Sequence, residues 1–118
     1  MKTIIEDANF KAVLEQFRGS YAQIWIFSPS LKRLVIRLTK KGFKDALYIL
    51  GASCVHINGP FSWKNAHLTI YEAESAFPGE LITKVVDEKN GFELVTESGV
   101  VLSTGLEIDP WLSFDDPI

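Results

Sequence analysis

Hydrophobic periodicity changes from helical to strand-like near residue 20 of this chain. Between Ala8 and Arg18 the residues Phe10, Val13, Leu14 and Phe17 recur at i, i+3, i+4 and i+7, the spacing that lines one face of a helix. Asp7 can cap the first turn, since a carboxylate accepts from amides that lack an intrahelical partner. Gly19 suits the left-handed position after the helix, and Arg18 lies where the helix dipole favours a cation. Lys11 and Glu15 make an i, i+4 pair on the opposite face. Such a helix is expected to pack on a sheet.

Tyr21 to Phe27 is apolar on both faces, with Ile24, Trp25, Ile26 and Phe27 in succession, which predicts a central strand covered on each side. After the turn Ser28-Pro29-Ser30, Lys32 to Thr39 alternates: Leu34, Ile36 and Leu38 on one face, Arg33, Val35 and Arg37 on the other. That is a half-buried strand, hairpinned with the one before it. Residues 43–50 fit a helical face or a strand. The strand is preferred because the segment is short, follows Lys41-Gly42 and ends at Gly51. Cys54 to Ile57 and His67 to Glu72 are further strands. Leu81 to Glu88 and Phe92 to Glu97 flank Asn90-Gly91, a type I′ hairpin signal. Val100 to Ser103 follows, and Leu106 to Ile108 adds a short strand. The expected architecture is α+β, an N-terminal helix packed on a mostly antiparallel sheet of six or seven strands, with residues 1–118 forming a single domain.

Composition agrees with a packed core. Apolar residues make up 47% of the chain and charged residues 23%, the ordinary globular range. Cys54 is the only cysteine, so no internal disulfide is expected, and the N-terminus turns acidic before any signal-peptide core develops. Both features point to a cytoplasmic location. Residues 46–63 carry no formal charge, but Gly51, His56, Asn58, Gly59 and Pro60 interrupt them, so no membrane span is expected. Net charge is −3 but unevenly divided. Residues 1–59 hold nine Lys/Arg and four Asp/Glu (+5), and residues 60–118 hold three and eleven (−8).

Candidate chemistry is sparse. Cys54 and His56 fall on one face of a strand, and a hairpin closing over residues 58–65 would set His67 across from His56. Cys plus two His is a reasonable zinc set, yet the spacing matches no established signature and a fourth ligand is lacking. A buried thiol beside two half-exposed imidazoles is the preferred reading. Ser53, in Gly51-Ala52-Ser53-Cys54-Val55, lacks the second glycine of a nucleophile elbow. Asp87, Glu88, Glu93 and Glu97 place two acids opposite each other in either hairpin register, and a solvated hairpin tip is expected there. No glycine-rich phosphate loop occurs. Lys32, Arg33, Arg37, Lys40, Lys41 and Lys44 form a basic run that Tyr21 and Trp25 could flank as stacking platforms. The overall negative charge argues against nucleic acid.

Aromatics in proline-bounded segments remain. These are Gly59-Pro60-Phe61-Ser62-Trp63 and the acidic tail bearing Trp111, Phe114, Asp115 and Asp116. They either anchor a protein partner or fold back to cap the core. The sequence therefore predicts a non-catalytic protein-binding or accessory domain without cofactor, using Trp63, Trp111, Phe114, Asp115 and Asp116. A homodimer is one way to hide its sheet edges. The alternative is a small-ligand protein or enzyme with its site around Cys54, His56 and His67 on the sheet face.

Overall fold

A computed structural model describes residues 3–105. The predicted helix forms in two parts, a 3-10 turn at Asp7–Asn9 running into helix α1 (Phe10–Gln16). Leu14 and Phe17 are buried, and Phe10 and Val13 pack against the same cluster, as the 3.6-residue spacing requires. Gly19 takes φ +85°. Asp7 is part of the 3-10 turn and caps nothing with its side chain, and Glu15 pairs with Arg18 at 3.2 Å.

Ten strands follow the antiparallel rule throughout, among the described residues, in two sheets and not one sheet of six or seven strands. They are β1 (Thr3–Ile5), β2 (Ser20–Ser28), β3 (Arg33–Thr39), β4 (Ala46–Gly51), β5 (Cys54–Asn58), β6 (Ser62–Ala66), β7 (Thr69–Glu74), β8 (Leu81–Asp87), β9 (Phe92–Thr96) and β10 (Val100–Gly105). One sheet has the order β1-β10-β4-β3-β2-β6 and the other β5-β9-β8-β7. The segment that fitted both helix and strand is β4, buried at every position. The predicted short strand at Leu106–Ile108 lies outside the described residues, as do Trp111, Phe114, Asp115 and Asp116.

One long ribbon joins the two sheets. β4 pairs with β10 from Ala46↔Gly105 to Gly51↔Val100, and β5 pairs with β9 from Cys54↔Thr96 to Asn58↔Glu93. Between these stretches the ladder carries on around a corner. Ala52 donates to the Gly99 carbonyl (3.1 Å), Glu97 to that of Ser53 (3.0 Å) and Ser98 to that of Ala52 (3.3 Å). Ser53 takes φ +53° there, and its hydroxyl accepts from that of Ser98 at 2.7 Å. Both strands turn together, so their backbone groups stay paired where a broken sheet would leave them exposed.

The inward faces of the two sheets share one core with α1. Ile36, Leu38, Leu47, Ile49 and Leu102 come from the larger sheet, Val85, Phe92 and Leu94 from the smaller. β2 departs from its prediction. It lies second from an edge, between β3 and β6, and a bulge at Trp25 breaks its alternation. Tyr21, Trp25 and Phe27 are left exposed, while Ile24 packs on the shared core and Ile26 on a second buried cluster with Val35 and Tyr48, so β2 is only partly covered on each side. No helix among the described residues is long and apolar enough to cross a membrane.

Candidate functional site

The β8–β9 hairpin holds the chain's most constrained polar group. Asp87 is fully buried, not part of a solvated tip. Its Oδ2 accepts from the Trp63 indole N–H (2.8 Å), the His67 backbone N–H (2.9 Å) and the Asn90 side-chain amide (2.9 Å), while Oδ1 accepts from the Asn90 backbone N–H (3.3 Å). Four donors around one carboxylate offset its desolvation, which a buried acid requires. Asp87 thereby clasps β6, the β6–β7 corner and the hairpin turn together. The turn is a 3-10 turn over Glu88–Asn90 closed by Gly91 at φ +67°, not the expected type I′ turn. Pairing Asp87↔Phe92 and Val86↔Glu93 sets no two acids opposite each other. Glu93 instead meets Lys84 at 3.4 Å and His56 at 3.7 Å.

Cys54, His56 and His67 are not brought together. β5 and β7 are opposite edges of the four-stranded sheet, so the segment 58–65 closes no hairpin between them. It contains the start of β6, which pairs with β2 in the other sheet. A bulge between Cys54 and His56 also breaks the alternation that would align them. Cys54 packs against the core while His56 is exposed. Among the described residues no three His, Cys, Asp or Glu side chains converge as metal ligands. Burial pushes the Cys54 thiol up from 9.0 to about 11, partly opposed by a backbone hydrogen bond with Leu34. That environment keeps the sulfur protonated, the reverse of what a nucleophile needs.

Trp63 is also committed to the interior. It is 8% exposed and stacks on Phe92 with ring centroids 4.6 Å apart, so it caps the core. The exposed aromatic of that loop is Phe61, at 85%. In the basic segment, Arg37 lies 4.2 Å from the centroid of the Trp25 ring and donates to Gln23 Oε1 at 3.2 Å. Lys40 donates to the Gln16 carbonyl at 3.0 Å.

The surface feature with the most coherent chemistry is a depression at the β7–β8 turn, at one end of the four-stranded sheet. Ser75 organises this turn. Its hydroxyl accepts from the Phe77 N–H at 3.0 Å, and its own N–H donates to the Glu80 carbonyl at 2.9 Å. Gly79 supplies φ +86°, and the Glu80 N–H donates to the Phe77 carbonyl at 3.2 Å. The result holds Phe77 outward, 68% exposed, next to Leu81 (56%) and Val55 (50%). With Ile82 and Val95 these residues line an open depression of about 570 Å³. Its charged lining residues are Glu80 and Glu97, with no cation among them. Sequence reasoning passed over this place, although Phe77-Pro78-Gly79 repeats the aromatic-and-proline signal noted at Phe61. No protein-family profile, curated protein or solved structure matches this chain.

Proposed function

We propose that the chain is a non-catalytic protein-binding module whose partner docks at the β7–β8 end of the four-stranded sheet. The observation that carries this reading is the exposure of Val55, Phe77 and Leu81 around one acid-rimmed depression. A folded chain leaves large apolar side chains singly exposed as a matter of course, whereas a cluster of them rimmed by charge is the mark of an interface. The ordered Ser75 turn adds to this, since Phe77 is presented without the entropy cost of fixing a loose loop. The partner chemistry that fits is a protein segment bearing apolar side chains flanked by Lys or Arg. The −8 charge of residues 60–118 would speed its approach at low ionic strength. The elevated thiol of Cys54 and the separation of His56 from His67 favour binding over catalysis.

The test is a pull-down with the tagged full-length chain and its Phe77→Asp and Leu81→Lys variants, each first shown to unfold at the wild-type temperature. A stoichiometric partner retained by the wild type and lost with both variants is the expected result. Retention by the variants, or no partner at all, refutes the assignment of this end of the sheet. Light scattering at micromolar concentration gives 13.2 kDa if the partner is another protein, and twice that mass if it is a second copy.

A further inference from the structure

We propose that the outer side of β2 and the β3–β4 turn form a binding site for single-stranded nucleic acid, with Tyr21 and Trp25 stacking on bases and Lys41 and Lys44 meeting phosphates. The site belongs to the six-stranded sheet and shares no residue with the depression at the β7–β8 turn, so it stands independently of that reading.

Strand register places the aromatic groups. Ala22 pairs with Leu38 and Ile24 with Ile36, and all four belong to the shared core. Alternation therefore turns Tyr21, Gln23, Arg37 and Thr39 to the outer face. The bulge at Trp25 brings its indole to the same side, where the Arg37 guanidinium lies 4.2 Å from the ring centroid and donates to Gln23 Oε1 at 3.2 Å. That contact holds the indole in one orientation. Tyr21 is 38% exposed and Trp25 39%. Four residues of extended strand set them about 13 Å apart, a spacing that an extended single strand can bridge with successive bases.

The β3–β4 turn supplies the charge. The Phe43 N–H donates to the Lys40 carbonyl at 3.0 Å and Gly42 takes φ +90°, which closes a tight turn over residues 40–43. Phe43 meets Phe17 edge to face at 4.9 Å, and Lys40 reaches the Gln16 carbonyl, so the turn is tied to the end of α1. Beside it opens a depression of about 460 Å³ whose lining includes Tyr21, Lys40, Lys41, Phe43 and Lys44. Asp45 is the one acid among its lining residues. Lys41 and Lys44 are exposed, on a turn already fixed before any ligand arrives.

Residues 32–45 hold six Lys/Arg and one Asp (+5), on a chain whose net charge is −3. The local charge governs binding here, because the fields of exposed groups fade within about 10 Å at 0.1 M salt. An acidic peptide would satisfy the lysines but would bring no planar group to Tyr21 and Trp25. A duplex offers phosphates but keeps its bases paired and stacked away from both rings. Single-stranded nucleic acid supplies phosphates and open base faces together, which matches a basic groove lined with aromatic platforms.

The test follows the fluorescence anisotropy of a labelled oligo-dT, about 12 nucleotides long, titrated with the full-length chain at low salt. Each variant is first shown to unfold at the wild-type temperature. Saturable binding is expected, weakened about tenfold by Trp25→Ala and similarly by Tyr21→Ala. Lys41→Gln with Lys44→Gln should also weaken it and should reduce the slope of log affinity against log salt by about 1.4, the value for two lost phosphate contacts on a single strand. Absence of binding, affinity unchanged in both aromatic variants, or a salt slope unchanged in the lysine variant would each overturn the proposal. So would polyglutamate that displaces the probe as effectively as unlabelled oligo-dT, since the face would then serve an acidic peptide.

Discussion

Replacing Asp87 by alanine should damage this fold more than any other single change on its polar inventory. Truncation leaves the Trp63 indole N–H and the His67 amide buried without an acceptor, because both are bonded to the same carboxylate oxygen. A buried donor left unsatisfied costs about 1–3 kcal/mol. The Asn90 donors sit at a turn that water can reach, so they add less. Relief from desolvating the carboxylate offsets part of the loss. The net destabilisation is about 3 kcal/mol, or roughly 10 °C in Tm for a domain near this size. Asp87→Asn should fall between, since one amide oxygen can keep the three Oδ2 contacts while its NH2 faces the Asn90 N–H. Trp63→Phe retains the stack on Phe92, loses one bond, and should cost about 1 kcal/mol. Urea unfolding followed by far-UV circular dichroism measures all three, and the double variant closes a cycle that isolates the Trp63–Asp87 coupling. An Asp87→Ala protein within about 0.5 kcal/mol of wild type would refute the clasp as a stabilising device.

Other substitutions probe other parts of the argument. At Gly59 a Cβ would stand 2.8 Å from the Phe92 Cα and 2.9 Å from the Gly91 carbonyl oxygen, with φ at +138°. Gly59→Ala should therefore cost about 2–4 kcal/mol in urea unfolding. Ile49→Ala, fully buried on central strand β4, should cost about 3 kcal/mol by the same assay. Cys54, raised from 9.0 to about 11, should react with a disulfide reagent at pH 8 about a hundredfold more slowly than an unperturbed thiol. Because the folded thiol stays neutral where the unfolded one ionises, stability from this group is complete below pH 9 and declines as pH rises toward 11. Wild type should thus lose stability relative to Cys54→Ala between those pH values.

What was legible in the sequence was what local periodicity encodes. The face of α1 and the inward triad Leu34, Ile36 and Leu38 follow from spacing within a few residues, whereas β4, which fitted helix and strand alike, was told apart only by its shortness and its flanking glycines. The division into two sheets followed from neither, because it depends on residues 46–58 meeting 93–105 and turning the corner together. Asp87 was misplaced for a similar reason. Its neighbours Glu88, Lys89 and Asn90 form an ordinary exposed turn, while its deciding donors come from Trp63 and His67, twenty or more residues away. The bulges at Trp25 and after Cys54 each shift a face by one residue, which no alternation pattern announces. The Phe77 surface was visible as a sequence signal, but only the Ser75 turn revealed that its aromatic ring points outward.

The shared ribbon has a consequence for how the molecule comes apart. Each sheet contains half of the same two strands, so neither can lose its order without opening the ladder that supports the other. Local opening of one sheet is therefore suppressed, and the amides of β4, β9 and β10 should exchange with solvent only through global unfolding, at a common free energy. The late-forming step should be the closure of this ribbon, since it must enclose the intervening residues 59–92 before its pairing is rewarded. Slow, concerted folding and a narrow spread of exchange rates are the dynamic signature of one continuous ladder passing through both sheets.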